Sequence, residues 1–394
     1  MSTPTRTAPA SRTAAASPAR IPLRALLTFG AVGRALVGWI AVGGLALLSP
    51  PPTSPLLGAT LAGTVAVIAV CAFGVVRQAE RLAARLGDPL GTLVLTLSIV
   101  LIEVVLIVAV MLGPGEHATI ARDAVLAVSM IILNLVVGLA LLTGGMRRSA
   151  RRQGGLRHNR AGTSQYLGLL VALLAVTFGA PELVGIDGAF SAPQAAAVAA
   201  GTLAVYAFFL WRQTGAQAAD FVEVAVPPPA AGHAVRRAVR AHRRELAVRV
   251  VLLALTMLPI ILLSHDLAGM LDHGLALLHG PPMLSGLVIA GIVFLPEAIT
   301  AVRAAWAGQA QRVSNLCHGA LVSTVGLTVP AVLIVGLVTG ENPVFAVDPA
   351  GALLLAVSLA VSLTTFAGRR ATAAHGAVHL AVFALYVLVL SAPA

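Results

Sequence analysis

The sequence predicts an all-α polytopic membrane protein of eleven transmembrane helices, one extra N-terminal helix followed by two inverted repeats of five. Three observations carry that expectation. Of 394 residues, 58% are hydrophobic and only 10% charged, whereas a soluble domain carries about 25% charged residues to cover its surface. Apolar runs of about 20 residues recur along the chain, the length a helix needs to cross a hydrocarbon core roughly 30 Å thick. Finally, all 26 basic residues are arginine, and they crowd into alternate gaps between the runs, as the positive-inside rule demands.

Taken in order, residues 1–23 are rich in Ser, Thr, Ala, Pro and Arg without apolar period, and read as a disordered cytoplasmic arm. They lack the apolar core of a secretory signal. Residues 24–55 hold the extra helix, Leu26–Leu48, interrupted by Arg34, whose guanidinium can snorkel to the interface. The first repeat, 56–212, offers spans at Leu56–Val76, Pro89–Leu112, Asp123–Thr143, Tyr166–Ile186 and Pro193–Trp211. Residues 213–247 read as a cytoplasmic linker with a Pro227-Pro-Pro229 break and a basic stretch suited to lipid headgroups. A cation-sensing role there is disfavoured, because Asp220 and Glu223 are too few ligands for a hard cation. The second repeat, 248–394, offers Val248–Leu271, Met283–Trp306, Leu316–Gly340, Gly351–Ala367 and His375–Leu390.

The arginines test this arrangement. With the N-terminus cytoplasmic, 24 of the 26 fall inside, Arg122 falls outside and Arg34 lies within a span. The opposite topology inverts the bias, so the C-terminus is expected outside. Orientation explains the net charge of +11 and removes the reason to invoke nucleic acid. Cys71 and Cys317 lie far apart in apolar runs and read as small buried hydrophobes.

Two carboxylates stand where carboxylates are costly. Glu103 and Glu297 each fall near the middle of the second span of a repeat. An acid at that depth costs on the order of 2.5–3.5 kcal/mol on the lenient insertion scales. With five spans per repeat, the two helices run antiparallel and both acids reach the bilayer midplane. Paired repeats with midplane charges are the architecture of a secondary transporter. Pro296 removes a backbone N–H beside Glu297 and frees an upstream carbonyl, which can ligate a cation.

Polar residues gather on the same spans and their neighbours. Thr96 and Ser98 precede Glu103, and Thr300 follows Glu297. The adjoining spans carry Ser129 and Asn134, and then Asn315, His318, Ser323, Thr324 and Thr328. Hydroxyl and amide oxygens around carboxylates suit a hard cation and not zinc or copper. Each Ser, Thr or Asn alone also serves as glue between helices. Glu182, near an outer helix end, lines a pathway or sits at the interface. His375 and His379, four apart, read first as polar residues at a helix start, with a metal site or proton relay as the sharper alternative. An intramembrane hydrolase is disfavoured, because no nucleophile–base pair or H-E-x-x-H motif occurs. A cation channel is separated from a coupled transporter only by flux measurements.

The string Gly91-Thr-Leu-Val-Leu-Thr-Leu-Ser98 with Ile102-Glu103 has a partner in Leu295-Pro-Glu297-Ala-Ile-Thr-Ala-Val302. With Gln311-Arg312, Asn315-Leu316, His318-Gly319 and Leu327-Thr-Val-Pro330, it resembles the bacterial calcium/proton antiporter branch of the cation/calcium exchanger superfamily. The resemblance implies inverted repeats that each give one acid to a central site, here Glu103 and Glu297, with Asn134, Ser323 and Thr324 on the adjoining helices. It implies a multi-pass bacterial inner-membrane protein that exports Ca2+ against protons, with Na+ or K+ against protons as the alternative. No cofactor is expected. The expected partners are inorganic cations, protons and the bilayer, with a homo-oligomer left open. Where many exchangers carry Gly-Asn before each acid, this chain reads Ile99-Val100 and Val293-Phe294. The implied mechanism is competition, since a bare buried carboxylate is costly and either protons or a cation relieve it.

Overall fold

A computed structural model describes residues 29–47, 54–86, 118–224, 233–277 and 294–391. It also describes Leu93, Thr96, Leu97, Val100, Glu103, Val104, Ile107, Val108 and Met111, and residues 287, 288 and 290–292. Inside a bilayer no water satisfies the backbone, so long apolar runs close their hydrogen bonds as helices. Helix α1 spans Phe29–Leu47, α2 Ser54–Leu86, α3 Ile120–Gly145 and α5 Arg160–Val184, with the short α4, Arg148–Gln153, between the last two. Helix α6 follows at Ala192–Thr214 and α7 at His233–Leu277. The last four are α8 (Leu295–Ala307), α9 (Ala310–Thr339), α10 (Pro349–Ala367) and α11 (Ala373–Leu390). Two-residue strands β1, Leu156–Arg157, and β2, Arg370–Ala371, pair antiparallel on one face.

Among the described residues nine helices are long and apolar enough to cross a membrane. The chain is thus an all-α multi-pass membrane protein. Two of the eleven expected spans, those of Glu103 and Glu297, are described in part. The nine residues described between 93 and 111 are all helical, and their spacing of three or four places them on one helix face. Ser98 and the arm at 1–23 lie outside the described residues.

Several helices outrun their expected ends. Helix α2 continues ten residues past Val76 to Leu86, through Arg77, Arg81 and Arg85. An arginine is a good helix former and its charge does not stop the backbone ladder at the headgroups. Helix α7 likewise starts at His233, with non-helical geometry at His242 and an internal Pro259. The basic half of the expected linker is therefore helical. Stops and starts follow local chemistry. Gly340, at φ +81°, ends α9 in the left-handed region open to glycine. Thr372 caps α11 through a reciprocal box with His375.

The packing has two parts. Helices α2 and α7 lie along one another, and α1 rests on both, with the Trp39 indole donating to the Leu255 carbonyl at 3.1 Å. A buried ion pair joins α2 to α7 near their arginine-rich ends. The Arg249 guanidinium donates to Glu245 Oε1 at 3.0 and 2.8 Å and to Gln78 Oε1 at 3.3 Å. In the second part α3, α8 and α9 pack together, flanked by α5, α6, α10 and α11. Small residues bring these backbones close. A Cβ on Gly376 of α11 would stand 2.5 Å from the Leu142 nitrogen of α3, and one on Gly326 of α9 would stand 2.8 Å from the Tyr206 ring of α6. Such contacts are the main source of adhesion between helices in lipid.

Candidate functional site

The two carboxylates meet in the interior. Glu103 is 7% exposed and Glu297 4%, and they are close enough for their charges to interact. Glu297 occupies the first turn of α8, directly after Phe294, whose φ of −82° and ψ of 0° mark a turn. Pro296 sits in that same first turn, where a helix has no N–H to lose. The glutamate therefore stands in the first turn after a local break, and helical backbone lies on both sides of it, since the Phe294 N–H donates to the Ala290 carbonyl at 3.0 Å.

A hydroxyl from the other half of the chain reaches Glu103. Thr324 Oγ1 of α9 donates to Glu103 Oε2 at 2.9 Å. The remaining carboxylate oxygens, Glu103 Oε1 and Glu297 Oε1 and Oε2, are buried with no hydrogen-bond partner among the described residues. Thr96 Oγ1 and Thr328 Oγ1 share that condition. Thr96 lies seven residues before Glu103, and Thr328 four after Thr324, so each continues the face of its neighbour. A buried unsatisfied polar atom costs about 1–3 kcal/mol, and five such oxygens, three of them carboxylate acceptors, call for an occupant that is a cation or a proton donor. Among the described residues no three of His, Cys, Asp and Glu are placed to hold one metal ion. Further ligands for a cation at this pair would be neutral oxygens, the set that hard cations take.

The other sequence candidates fall in different places. Thr300 turns its hydroxyl back to the Pro296 carbonyl at 2.8 Å. Ser323 donates to the Gly319 carbonyl at 2.8 Å and accepts from Tyr206 at 2.9 Å. Asn134 sits inside a π-helical turn, Ile131–Val136, a feature that often marks functional sites. Its amide nitrogen donates to Ser358 Oγ of α10 at 2.7 Å, while its Oδ1 has no partner. Nothing among the described contacts joins it to the carboxylates. Glu182 is exposed in the closing turn of α5, and His318 faces away toward Ser314 and Phe366.

A polar route leads from Thr96 toward the arginine-rich side. A cavity of about 10 Å³ is lined by Thr96, Tyr166, Gln213, Asn315, Gly319 and Ser323, enough for one water. Gln213 donates to the Tyr166 hydroxyl, and Asn315 donates to the Phe221 carbonyl at 2.7 Å. Tyr206, Tyr166 and Gln213 were invisible in the sequence, where each reads as one more residue of an apolar helix. Only hydrogen bonds reveal them, that of Tyr206 to Ser323 across the two halves and that between Gln213 and Tyr166 within the first.

Comparison with known proteins gives a family and a fold. The family model described as sodium/calcium exchanger protein matches residues 56–215 and 248–392, two stretches that flank the expected linker. The sodium-potassium/proton antiporter ChaA of Escherichia coli is 31% identical over 82% of this chain and 86% of its own. The y4hA protein of Sinorhizobium fredii, named provisionally as an ionic transporter, is 34% identical over 82% of this chain and 85% of its own. In fold the chain resembles an H+/Ca2+ exchanger, CAX, with a TM-score of 0.64 at 12% identity, covering 93% of this chain and 88% of that one. It resembles native YfkE with a TM-score of 0.60 at 14% identity, covering 92% and 99%.

Proposed function

The chain belongs to the sodium/calcium exchanger protein family, and from that premise we propose that it is a secondary active cation/proton antiporter, not an enzyme, with Glu103 and Glu297 as its shared site. The observation that carries this reading is the buried pair itself, two carboxylates in electrostatic reach with three of their four oxygens unpartnered. A bare buried charge is costly, and either protons or a cation remove that cost. The same pair therefore holds one or the other, and exchange follows when the core opens alternately to the two sides. Thr324 positions Glu103 for both states, because its hydroxyl donates to a carboxylate and also accepts from a carboxylic acid. Thr96 and Thr328 have unpartnered hydroxyl oxygens to offer on the helices of Glu103 and Thr324, whereas Thr300 and Ser323 turn theirs to carbonyls of their own helices and Asn134 turns to Ser358.

The transported ion in this reading is Ca2+, exported from the cytosol. Two negative charges and neutral oxygens match a divalent hard cation. A second reading, Na+ or K+ against protons, is favoured by the likeness to ChaA, whose name states that activity. The arginine bias supports a bacterial inner-membrane placement with the N-terminus cytoplasmic and the C-terminus outside. In liposomes holding the purified full chain under an imposed pH gradient, Ca2+ should enter saturably and dissipate the gradient. Equal responses to Na+ or K+ would move the assignment to the second reading. Uncoupled conductance for any of the three would reject an antiporter.

A further inference from the structure

Three histidines that the carboxylate site does not use gather around one phenylalanine. The imidazoles of His158 and His318 meet the Phe366 ring edge-on, at centroid distances of 5.2 and 4.9 Å. His379 bonds through Nε2 with the Thr365 hydroxyl at 3.2 Å, next to Phe366 in α10. All three are buried, His318 and His379 completely. His379 faces the Leu133 carbonyl, and its Nδ1 has no hydrogen bond of good geometry.

The hydrogen bonds assign two of the tautomers. His158 Nε2 lies 3.2 Å from the Phe366 carbonyl. A carbonyl only accepts, so Nε2 carries the proton and Nδ1 is a bare acceptor. Around His318, Thr163 donates to Gln311 Oε1 at 3.4 Å, which leaves Ser314 to donate to Thr163 at 3.0 Å. His318 Nδ1–H then donates to Ser314 at 3.0 Å, and Nε2 is the bare acceptor. Both bare nitrogens are buried with no partner. Burial, opposed by the Phe366 bond and aided by Arg160, holds His158 below the usual imidazole range.

The polar line continues inward along α10. Ser358, Ser362 and Thr365 follow at intervals of four and three on one helix face, all at 0–1% exposure. Ser362 Oγ lacks a partner, and Ser358 accepts from Asn134, whose Oδ1 also lacks one. Outward, His158 lines a basic cavity of about 430 Å³ with Arg157, Arg160, Arg369 and Glu223. Five unpartnered buried polar atoms therefore mark one line from that cavity to the π-turn of α3. Buried polar atoms left over in this way are the places where internal water sits.

We propose that His158, His318 and His379, with the Ser358–Ser362–Thr365 row, form a hydrated proton route between the arginine-lined cavity and the Asn134 turn, separate from the path of the cation. The route rests on the antiporter reading. It ends at α3, which packs on α8 and α9, the helices of Glu297 and Thr324. Imidazoles with one bare nitrogen pass protons by accepting at one atom and releasing from the other.

The test separates proton movement from cation movement in the same liposomes. His318→Phe and His379→Phe should each slow pH-gradient-driven Ca2+ uptake by about tenfold or more, as loss of a proton-transfer group does. Exchange of radiolabelled Ca2+ for unlabelled Ca2+ at equal pH, which needs no proton, should stay within about twofold, well inside that tenfold effect. A parallel set uses Na+. His318→Gln, which keeps a donor toward Ser314, should show the same split if the phenylalanine variant does not fold. Equal loss in both modes would make the histidines structural and overturn the route, as would an unchanged coupled rate. Glu103→Gln in parallel should lose both modes. If it keeps both, the carboxylate reading fails, whatever the histidine variants show.

Discussion

Glu103→Gln and Glu297→Gln should each abolish proton-coupled cation uptake, with a loss of at least about a hundredfold, the size expected when a group essential to charge transfer is removed. Glutamine is nearly isosteric with glutamic acid and keeps the polar contacts of the protonated state. Thr324, which now donates to Glu103 Oε2 at 2.9 Å, can still donate to an amide oxygen. Folding should therefore survive, and the variants should elute and melt like the parent protein. What glutamine lacks is the charge that attracts a cation and the acid proton that replaces it. Uptake at the parental rate in either variant would remove that glutamate from the site. The two losses should not add in the double variant, because the pair acts as one unit.

Arg249→Ala should cost about 3–5 kcal/mol of stability, as breaking a buried ion pair by removing one partner does. Arg249 and Glu245 are each 6% exposed, and the guanidinium also holds Gln78 of α2 at 3.3 Å. Its removal takes two donated bonds from the Glu245 carboxylate and the link to Gln78 that ties α7 to α2 at this end. Thermal unfolding of the purified protein in detergent reads the effect directly. Adding Glu245→Gln to the Arg249→Ala protein should recover part of the loss, since a buried carboxylate that has lost its guanidinium is then neutral. A single-variant change below about 0.5 kcal/mol, typical of surface positions, would show that the pair is solvated in the native state.

Much of this was legible in the sequence because the bilayer is an unforgiving solvent. Glu103 and Glu297 stood out since no structural use covers the cost of a midplane acid, and the structure brings them into electrostatic reach. Thr324 was legible for the same reason, as a polar residue on the adjoining span. Asn134 was found as a residue, but its partner was not. The π-turn rotates its amide to Ser358, and an irregular turn leaves no trace in a 3.6-residue period. The end of α2 was hidden because arginines at a membrane exit look the same in a loop and in a helix that continues into water. His379 read as an interfacial residue at a helix start. In fact Thr372 begins α11 with a capping box to His375, which turns the next residue of that face, His379, onto Thr365 of α10. His158 and His318 were scattered singly in the chain, and only the fold stacks both on Phe366.

Competition between protons and cation at one carboxylate pair is the centre of the mechanism, and proton release on binding measures it most directly. The purified protein in weakly buffered detergent solution, with a pH-sensitive dye, is titrated with Ca2+ and in parallel with Na+ and K+. Binding of the transported cation should release protons in proportion to the ion bound, and the release should vanish in Glu103→Gln and in Glu297→Gln. Cation binding with no proton release, or a release that persists in both variants, would contradict a shared site at Glu103 and Glu297.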